Sequence, residues 1–289
     1  MPSLKAIRTR ITSVRSTQKI TRAMKLVSAA KLRRAQENIV RARPYAQKLH
    51  ELISELALRA EADDHPLLAH REPRRVKLLV ITSDRGMCGA FNTNILRATE
   101  SYLREHKGEH EALSVAVVGR KGREYLRHRN VDLSQTYPGL DVSTALERSK
   151  QVSDAIIEEF LGDSLDKVYL IYNEFKSAMQ QRITVEQLLP IVPLELDGDE
   201  GTPIDFAYEP SKLELLETIM PMYVHVEVYR AALESTASEF GARMTAMENA
   251  TNNAAEMISS LTLQYNKARQ ASITKELLEI VGGAEALRK

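Results

Sequence analysis

Residues 3–43 read SLKAIRTRITSVRSTQKITRAMKLVSAAKLRRAQENIVRAR and contain neither glycine nor proline. Residues 242–281, near the other end of the chain, also lack both residue types. Glycine and proline are the residues least compatible with a helix interior, so both stretches are predicted to be long helices. Each would be about 60 Å long at about 1.5 Å per residue, which exceeds the width of a small domain.

Both stretches carry a seven-residue repeat made of alternating three- and four-residue steps. The amino-terminal repeat continues to Ala60, and the carboxy-terminal one runs from Val226 to Ala268. The first begins with Leu4, Ile7, Ile11, Val14, Gln18, Thr21, Lys25, Ser28, Leu32 and Ala35. This spacing keeps one stripe facing a partner helix and imposes a left-handed supercoil. We therefore predict an intramolecular coiled coil of the two termini, a rod that favours a mechanical role over an enzymatic one.

Composition describes a soluble globular protein of one or two domains. The chain has 289 residues, of which 43% are hydrophobic and 27% charged. No run approaches about 20 apolar residues, so no membrane span is predicted. The single cysteine, Cys88, excludes an internal disulfide and fits a reducing compartment. The histidines show no spacing typical of a metal site, and none is predicted.

Charge is distributed unevenly along the chain. Residues 1–43 hold twelve Lys and Arg and one acid, Glu37, while the whole chain has a net charge of only +1. Such a basic segment favours binding to acidic protein, phosphate or anionic lipid. A mitochondrial presequence is also basic and poor in acids, but its removal would interrupt the repeat, which passes through Arg43 unbroken. A secretory signal is disfavoured because no apolar region follows the charges.

The middle of the chain alternates between strand and helix patterns. Strands are predicted at 76–82, 113–118, 166–172 and 182–188, and helices at 92–107, near 120–128 and at 142–161. The alternation predicts an α/β domain with a mostly parallel sheet. The predicted domains are an amino-terminal helix over 1–61, the α/β domain over 75–205 and a carboxy-terminal helix over 210–289. Pro44 is expected to bend the first helix, and Gly282-Gly283 to end the last.

The predicted strand-turn-helix at residues 82–92 is a candidate phosphate cradle, because it places Gly86 and Gly89 before a helix. It lacks the phosphate-loop pattern, so a tight turn that needs glycine is the preferred interpretation. The glycines of residues 119–122 are interpreted in the same way. Cys88 is read as a small buried side chain rather than a reactive thiol. No catalytic arrangement of side chains is recognisable in the sequence.

Two features of the predicted rod point to partners. Gln18, Thr21, Lys25 and Ser28 place polar groups on a stripe that a simple coiled coil would fill with apolar ones. Either this face is solvated, or an acid-lined partner encloses it. The far end of the last helix is instead an apolar tip, which we expect a partner to bury. The tip comprises Ile273, Leu277, Leu278, Ile280 and Val281.

Four segments together resemble the gamma subunit family of F-type ATP synthases. Residues 11–31 (ITSVRSTQKITRAMKLVSAAK) resemble its amino-terminal signature, and residues 83–92 (SDRGMCGAFN) its central motif. Residues 243–254 (RMTAMENATNNA) and 265–280 (YNKARQASITKELLEI) resemble its carboxy-terminal signature. The resemblance covers essentially the whole chain.

The resemblance implies an α/β fold plus a long coiled coil, in which both termini pair antiparallel and a Rossmann-like α/β domain lies between them. It implies a central shaft that rotates inside a ring of three alpha and three beta subunits. Rotation would couple transmembrane proton flow to ATP synthesis or hydrolysis. The active sites of the family lie in beta, so the resemblance implies no catalytic residue, cofactor or metal in this chain.

The resemblance also implies contacts for particular residues. Met24 and Lys25 would contact an acidic loop of beta, and the apolar tip would turn in a bearing formed by the ring. The contact between shaft and catalytic subunits would include Arg269, Gln270, Thr274 and Glu276. The α/β domain would dock with epsilon and the membrane ring of c subunits, with delta a further member of the complex.

A bacterial protein is expected, peripheral to the inner membrane on its cytoplasmic face, because no extra presequence precedes the signature. The two-cysteine insertion of the chloroplast version is absent, which argues against thiol control. Two other classes of protein fit the sequence less well. A DNA-binding coiled coil is disfavoured because a basic zipper pairs between chains and prefers Leu where Ala46 and Ala60 stand. No nucleic acid partner is therefore predicted. A nucleotide-using enzyme built on residues 75–205 is also disfavoured.

Overall fold

The computed structural model describes residues 3–57, 65–192 and 212–286 of the chain. It divides into two compact units. Residues 1–27 and 244–289 form the terminal unit, and residues 28–243 form the sheet unit. The elements are α1 (Leu4–Ala57), β1 (Arg75–Ile81), α2 (Phe91–Glu105), β2 (Ala112–Val118), α3 (Arg120–His128), β3 (Leu133–Tyr137), α4 (Ala145–Leu161), β4 (Lys167–Phe175), β5 (Gln181–Leu189) and α5 (Lys212–Ala286).

The two long predicted helices are present as α1 and α5. The hydroxyl of Ser3 accepts a hydrogen bond from the N–H of Ala6 at 3.2 Å, so Ser3 caps α1. Pro44 lies within α1, and the bend expected there stays a prediction. Helix α5 continues to Ala286, past the two glycines that were expected to end it. That expectation was wrong, because glycine in a helix costs only about 1 kcal/mol relative to alanine and does not by itself stop one.

The sheet unit contains one five-stranded sheet in the order β3-β2-β1-β4-β5. The first four strands are parallel to their neighbours, and β5 pairs antiparallel with β4. The prediction of a mostly parallel sheet is confirmed. Strand β3 was not predicted, because its sequence, LSQTY, has no apolar run and its side chains are at most half-buried at the sheet edge. The division into three domains stays a prediction.

Helices cover both faces of this sheet. On one face Leu79 and Leu170 pack in a cluster that includes Phe160 of α4 and Val224 of α5. On the other face Leu78 and Val117 pack with residues of α2 and α3. Strand β1 is therefore buried on both sides, as is typical of a central parallel strand. This three-layer arrangement confirms the predicted Rossmann-like α/β fold.

Two glycines are required by close approach in the sheet unit. Gly119 has a φ of 98°, and a Cβ there would lie 2.3 Å from the carbonyl oxygen of Thr82. A Cβ on Gly241 of α5 would lie 3.1 Å from the Cα of Ala178, in the turn between β4 and β5. The absence of a Cβ at Gly241 therefore lets α5 approach this turn closely.

Candidate partner-binding surfaces

In the terminal unit, α1 and α5 pack antiparallel along the predicted stripes. Ile7 and Ile11 are buried with Leu261, and Val14 packs at the border of this cluster. Further along α1, the hydroxyls of Thr21 and Thr251 lie 2.8 Å apart. The residue numbers of the α5 partners thus decrease as those on α1 increase, which is the antiparallel arrangement. The same seven-residue spacing marks the buried α5 residues Met247, Ala254 and Leu261.

The polar part of the α1 stripe is paired with α5. Gln18 donates from its side-chain amide to the carbonyl oxygen of Thr251 at 3.4 Å. Lys25 forms an ion pair with Glu248, with 2.6 Å between Nζ and Oε1. Gln18, Thr21 and Lys25 therefore have hydrogen-bonding partners on α5 within the same chain. Neither a solvated face nor an enclosing partner is needed to explain them.

The α1 surface around Met24 and Lys25 carries exposed apolar side chains. Met24 and Lys25 themselves are half-buried. Ile20 and Val27 are 57% and 59% exposed, and Leu26 is 65% exposed. Ile20, Met24 and Val27 follow the spacing that places residues on one helix face. Exposed apolar groups among so many cations form a surface that the sequence prediction missed, although the spacing of Ile20, Met24 and Val27 could have indicated it.

The predicted contact residues of α5 form a second surface. Arg269, Gln270, Thr274 and Glu276 are all exposed. The hydroxyl of Thr274 donates to the carbonyl oxygen of Gln270 at 3.0 Å, within the helix itself. Glu276 accepts a hydrogen bond from the hydroxyl of Ser272 at 3.1 Å. These side chains therefore face outward, with hydrogen bonds that support the helix.

The predicted apolar tip is exposed along its whole length. Its members range from 45% exposed at Ile273 to 67% at Leu278. Ile273, Leu277 and Ile280 lie on one face of α5 by their spacing. Ala268 is the last α5 residue in the cluster with Ile7 and Ile11. The tip lies beyond that cluster and buries none of its large side chains within the described part of the chain.

The predicted contact residues belong to two separate surfaces. Lys25 pairs with Glu248, whereas Arg269 lies further along the same helix. At about 1.5 Å per residue, Glu248 and Arg269 are roughly 30 Å apart along α5. The surface at Met24 and Lys25 is therefore distinct from the surface that includes Arg269 and the tip.

The strand-turn-helix at residues 82–92 supplies acceptors to the second glycine turn, at residues 119–122, and to Gly139. Asp84 Oδ1 accepts the backbone N–H of Arg120 at 2.8 Å, at the start of α3. The same oxygen accepts the N–H of Gly139 at 3.1 Å. The hydroxyl of Thr82 accepts the N–H of Gly122 at 3.0 Å. The N–H donors of Arg120 and Gly122 are thus used within the chain, which supports the interpretation of residues 119–122 as a tight turn.

The loop after β1 also holds α5. Arg243 is buried, and its Nη2 donates to the carbonyl oxygens of Arg85 at 3.1 Å and Gly86 at 3.3 Å. Nη2 also pairs with Glu239 at 2.7 Å. Burial raises the pKa of Glu239, and the Arg243 charge opposes that rise. Burial likewise raises the pKa of the Cys88 thiol, which fits its interpretation as a packed side chain.

A network of charges around Arg230 in the sheet unit was not predicted. Arg230 donates to both oxygens of Glu186 at 2.7 and 2.9 Å, and to Glu227 at 2.6 Å. It also donates to the hydroxyl of Tyr172 at 2.9 Å. Burial opposes the Arg230 charge, but the carboxylates of Glu227 and Glu186 raise its pKa above the ordinary value. Glu227 lies three positions before Arg230, but Glu186 and Tyr172 lie 44 and 58 positions away, so the sequence did not predict the network.

Within the described ranges, no group of three or more His, Cys, Asp or Glu side chains is arranged to hold a metal ion. None of the helices in those ranges has an apolar run that could cross a bilayer.

Comparison with known proteins identifies the family. A family model described as ATP synthase matches residues 3–287. The ATP synthase gamma chain of Anaeromyxobacter sp. (strain Fw109-5) is 53% identical, and that of Geobacter sp. (strain M21) is 50% identical. Both alignments cover 100% of this chain and 100% of the relative. This chain belongs to the ATP synthase gamma chain family. The resemblance recognised in the sequence motifs is confirmed.

Solved structures agree with this gamma chain fold. A chain of the Euglena gracilis mitochondrial ATP synthase, from a structure titled as OSCP/F1/c-ring in rotational state 3, matches with a TM-score of 0.71 and 25% identity. That match covers 98% of this gamma chain and 94% of the Euglena chain. A chain of the Tetrahymena thermophila central stalk and c-ring structure matches with a TM-score of 0.58 and 28% identity, over 80% and 99% of the two chains.

Proposed function

We propose that this chain is the central rotating shaft of an F-type ATP synthase, coupling proton flow across a membrane to ATP synthesis or hydrolysis. The observation that carries the proposal is the antiparallel α1–α5 pair of the terminal unit, whose outer faces expose large apolar side chains. A lone soluble helix pair has no reason to expose Leu278 at 67% and Leu26 at 65%. A shaft enclosed by other subunits can carry such side chains on its surface, because those subunits cover them in the complex.

The chain acts without catalysing the reaction itself. It is a subunit of the ATP synthase complex, and ATP is made or hydrolysed in the beta subunits. Its contribution is mechanical and conformational. The helix pair presents cations and apolar groups near Met24, and outward polar groups near Arg269, roughly 30 Å further along α5.

Asymmetry is what allows such a shaft to direct catalysis. A single asymmetric helix pair inside a ring of three equal catalytic subunits contacts each of them differently. The difference in contact free energy selects the conformation of each site, and with it the affinity for nucleotide. Rotation of the shaft then moves every site through the same sequence of conformations.

The free energy for this rotation comes from ions that cross the membrane. One elementary charge that crosses 100 mV releases about 2.3 kcal/mol, so several ions must contribute to each ATP. The shaft must transmit their combined work. A helix pair joined along a continuous stripe is suited to that load, because both helices resist bending together.

The two surfaces of the terminal unit are assigned to different contacts. Met24 and Lys25, with the neighbouring Ile20 and Val27, bind an acidic loop of beta. The exposed cations Lys19 and Arg22 nearby, together with the exposed apolar groups, support this assignment. The outward residues Arg269, Gln270, Thr274 and Glu276 contact the catalytic subunits further along the shaft. The apolar tip turns in a bearing formed by the ring.

The sheet unit is assigned to the remaining partners. We infer that it docks with epsilon and with the membrane c ring, while alpha and beta surround the terminal unit and delta belongs to the same complex. The chain would then be peripheral to the cytoplasmic face of a bacterial membrane, and its two terminal helices would form a left-handed coiled coil. Its membership of the gamma chain family supports these assignments.

The first experiment is affinity purification of the tagged chain from detergent-solubilised native membranes, followed by mass spectrometry and an ATPase assay. We expect recovery of alpha, beta, epsilon and c subunits together with ATPase activity. Recovery of the chain alone, or with nucleic acid, would refute the proposal.

A second experiment tests the assigned contact at the far end of the shaft. Arg269 and Lys267 are both exposed cations on the same helix, two positions apart. We expect R269A to lower ATP-driven proton pumping in membrane vesicles at least several-fold, and K267A to leave it near the level of the unaltered complex. Equal effects of the two substitutions would show that Arg269 has no specific contact.

A further inference from the structure

A cavity of about 810 Å³, open to solvent, is formed by residues of the sheet unit, apart from the two surfaces of the terminal unit. It is bounded by residues of α1 and α5, with Leu146 of α4 and Glu186 of β5 completing the wall. Sites for small organic molecules typically measure roughly 300–1,000 Å³ and combine apolar walls with a few polar groups at one side. The size of this cavity is therefore that of a small-molecule site.

Most of the cavity wall is apolar. Aliphatic side chains come from Ile39 and Ala42 of α1, and from Val226 and Leu233 of α5. Tyr45 and Tyr229 add aromatic rings. The hydroxyl of Tyr45 donates to the sulfur of Met222 at 2.9 Å. Such a wall fits an alkyl or aryl body, and its tyrosine rings favour a cation over an anion.

The polar side of the cavity is rich in acceptors and poor in donors. Glu186, Glu227 and Glu234 all line it, and all three are held by Arg230. Nε of Arg230 donates to Glu227, Nη2 to Glu186 and Glu227, and Nη1 to Tyr172 and Glu234. Every nitrogen of the guanidinium is thus engaged, so Arg230 has no donor left for a ligand, and three carboxylates share its charge.

Of the three carboxylates, Glu234 makes the longest contact with Arg230 and keeps an oxygen without a donor. Its Oε1 lies 3.5 Å from Arg230, the longest of these contacts. Its Oε2 is buried and has no hydrogen-bond partner among the described residues. Burial raises the pKa of Glu234, and the Arg230 charge opposes that rise. A buried acceptor without a donor costs free energy, which a ligand that supplies an N–H would recover.

We propose that this cavity binds a small organic cation, a primary ammonium or amidinium carried on an apolar alkyl or aryl body, with Glu234 as its counter-charge. The cationic head donates to Glu234 and offsets the excess of carboxylates, while the body lies against the aliphatic and tyrosine wall. A metal ion is the poorer occupant, since no three ligands in the described ranges are arranged to hold one. Arg43 also lines the cavity, so an anion is the competing occupant that the test must exclude.

The test uses three probes of one shape and the purified full chain. Phenylbutylamine carries the cation, phenylbutanol is its neutral analogue, and phenylbutyrate is the anion. Isothermal titration calorimetry at neutral pH measures their affinities. We expect the amine to bind at least about tenfold more tightly than the alcohol, because a hydrogen bond to a charged group is the stronger kind, and the acid to bind most weakly.

Two variants assign the binding to this cavity. E234Q removes the counter-charge while keeping the shape, and should reduce amine affinity at least about tenfold with little change for the alcohol. L146W places a large ring on an exposed wall residue and should weaken amine and alcohol alike. Circular dichroism melting confirms that each variant is folded.

The outcomes separate the alternatives. Tighter binding of the acid than of the amine would identify an anion site at Arg43 and overturn the proposal. Amine binding that neither E234Q nor L146W changes would place the amine elsewhere on the chain, and also overturn it. Absence of binding by all three probes would show that the cavity is not a ligand site. Loss of amine affinity in E234Q, with the alcohol unaffected, would support the proposal.

Discussion

The two units of this gamma chain bury their side chains in different ways. In the sheet unit, six of the seven residues of β1 are buried, and helices cover both faces of the sheet. In the terminal unit, the described residues of α1 up to Val27 include only three buried ones, namely Ile7, Ile11 and Thr21. The sheet unit is stabilised by its own core, whereas the terminal unit has only a narrow stripe.

The exposed residues extend this contrast. The terminal unit exposes large apolar side chains on α1 and along the end of α5. Its stripe is partly polar, with a threonine pair and an ion pair where apolar contacts would give more stability. We infer that the surface of the terminal unit is selected for contact with partners, and the interior of the sheet unit for packing.

The largest effect on stability should come from the sheet core. Phe160 is fully buried between α4 and the sheet, and its neighbour Leu161 is 46% exposed. F160A should lower the free energy of unfolding by about 3–5 kcal/mol, because it removes a buried ring and leaves a cavity. L161A serves as the matched control and should change it by less than about 1 kcal/mol. Urea unfolding followed by circular dichroism measures both, and equal losses would contradict the packing argument.

A smaller effect is expected on the stripe of the terminal unit. Leu261 is buried against Ile7 and Ile11, whereas Leu263 is exposed on the same helix. L261G should cost about 3 kcal/mol, from lost packing plus the poor helix propensity of glycine, and L263G only about 1 kcal/mol.

The same pair of variants tests the transmission of torque. L261G interrupts the stripe that joins the two helices, so it should uncouple proton flow from ATP synthesis more than L263G does. Membrane vesicles that contain each variant complex allow both rates to be measured. Unchanged coupling in L261G would show that a continuous stripe is unnecessary.

The ion pairs of the two units should also differ in how much they contribute to the free energy of unfolding. Asp166 is buried and accepts hydrogen bonds from the backbone and side chain of Arg75 at 2.7 Å. Hydrogen bonding from Arg75 lowers the pKa of Asp166, although burial opposes this. D166N should therefore lower the free energy of unfolding at neutral pH by about 2 kcal/mol. The matched control is E248Q, which breaks the half-exposed pair with Lys25 and should cost at most about 1 kcal/mol.

The pH dependence of D166N follows from the direction of the shift. A carboxyl with a lowered pKa stabilises the folded state above its unfolded pKa, near 3.9, and loses this contribution as the pH falls through its folded value. The difference between the unaltered chain and D166N should hence be constant near neutral pH and shrink below about pH 4. Unfolding measured at several pH values checks this, and a difference independent of pH would contradict the ion-pair explanation.

The sequence predicted the features of the fold that have a regular period. Seven-residue spacing predicted the stripe from Leu4 onward, and apolar runs predicted the four strands that lie inside the sheet or pair antiparallel at its edge. Strand β3 escaped because an edge strand needs no apolar run. The prediction that the last helix ends at Gly282 was wrong, because glycine can adopt helical as well as turn conformations.

The sequence predicted the candidate surfaces whose exposure follows from their position along a helix. The apolar tip was recognised because its residues lie beyond the end of the repeat. The Arg230 network was not predicted, because it brings together β4, β5 and α5, with Tyr172 and Glu234 62 positions apart. The cavity adds wall residues from α1 and α4, such as Ile39 and Leu146. Side chains that meet only through the tertiary fold leave no local pattern in the sequence.

The smallest effect on stability is expected at the apolar tip, where the effect on the complex should be large. Leu277 and Leu278 are exposed and pack in none of the described clusters, so L277Q/L278Q should change the free energy of unfolding of the isolated chain by less than about 0.5 kcal/mol. Under the proposed assignment of the tip to a bearing in the assembled enzyme, the same change removes apolar contacts there and should lower ATPase activity.

Lys275 offers a polar control on the same turn of α5, since it is exposed and its ion pair with Glu279 spans 3.6 Å. K275Q should alter neither the stability of the chain nor the activity of the complex. Unfolding of the isolated chain and ATPase activity of the purified complex separate the two roles. A loss of chain stability in L277Q/L278Q would show that the tip packs within the chain, and undiminished ATPase activity would show that no partner depends on it.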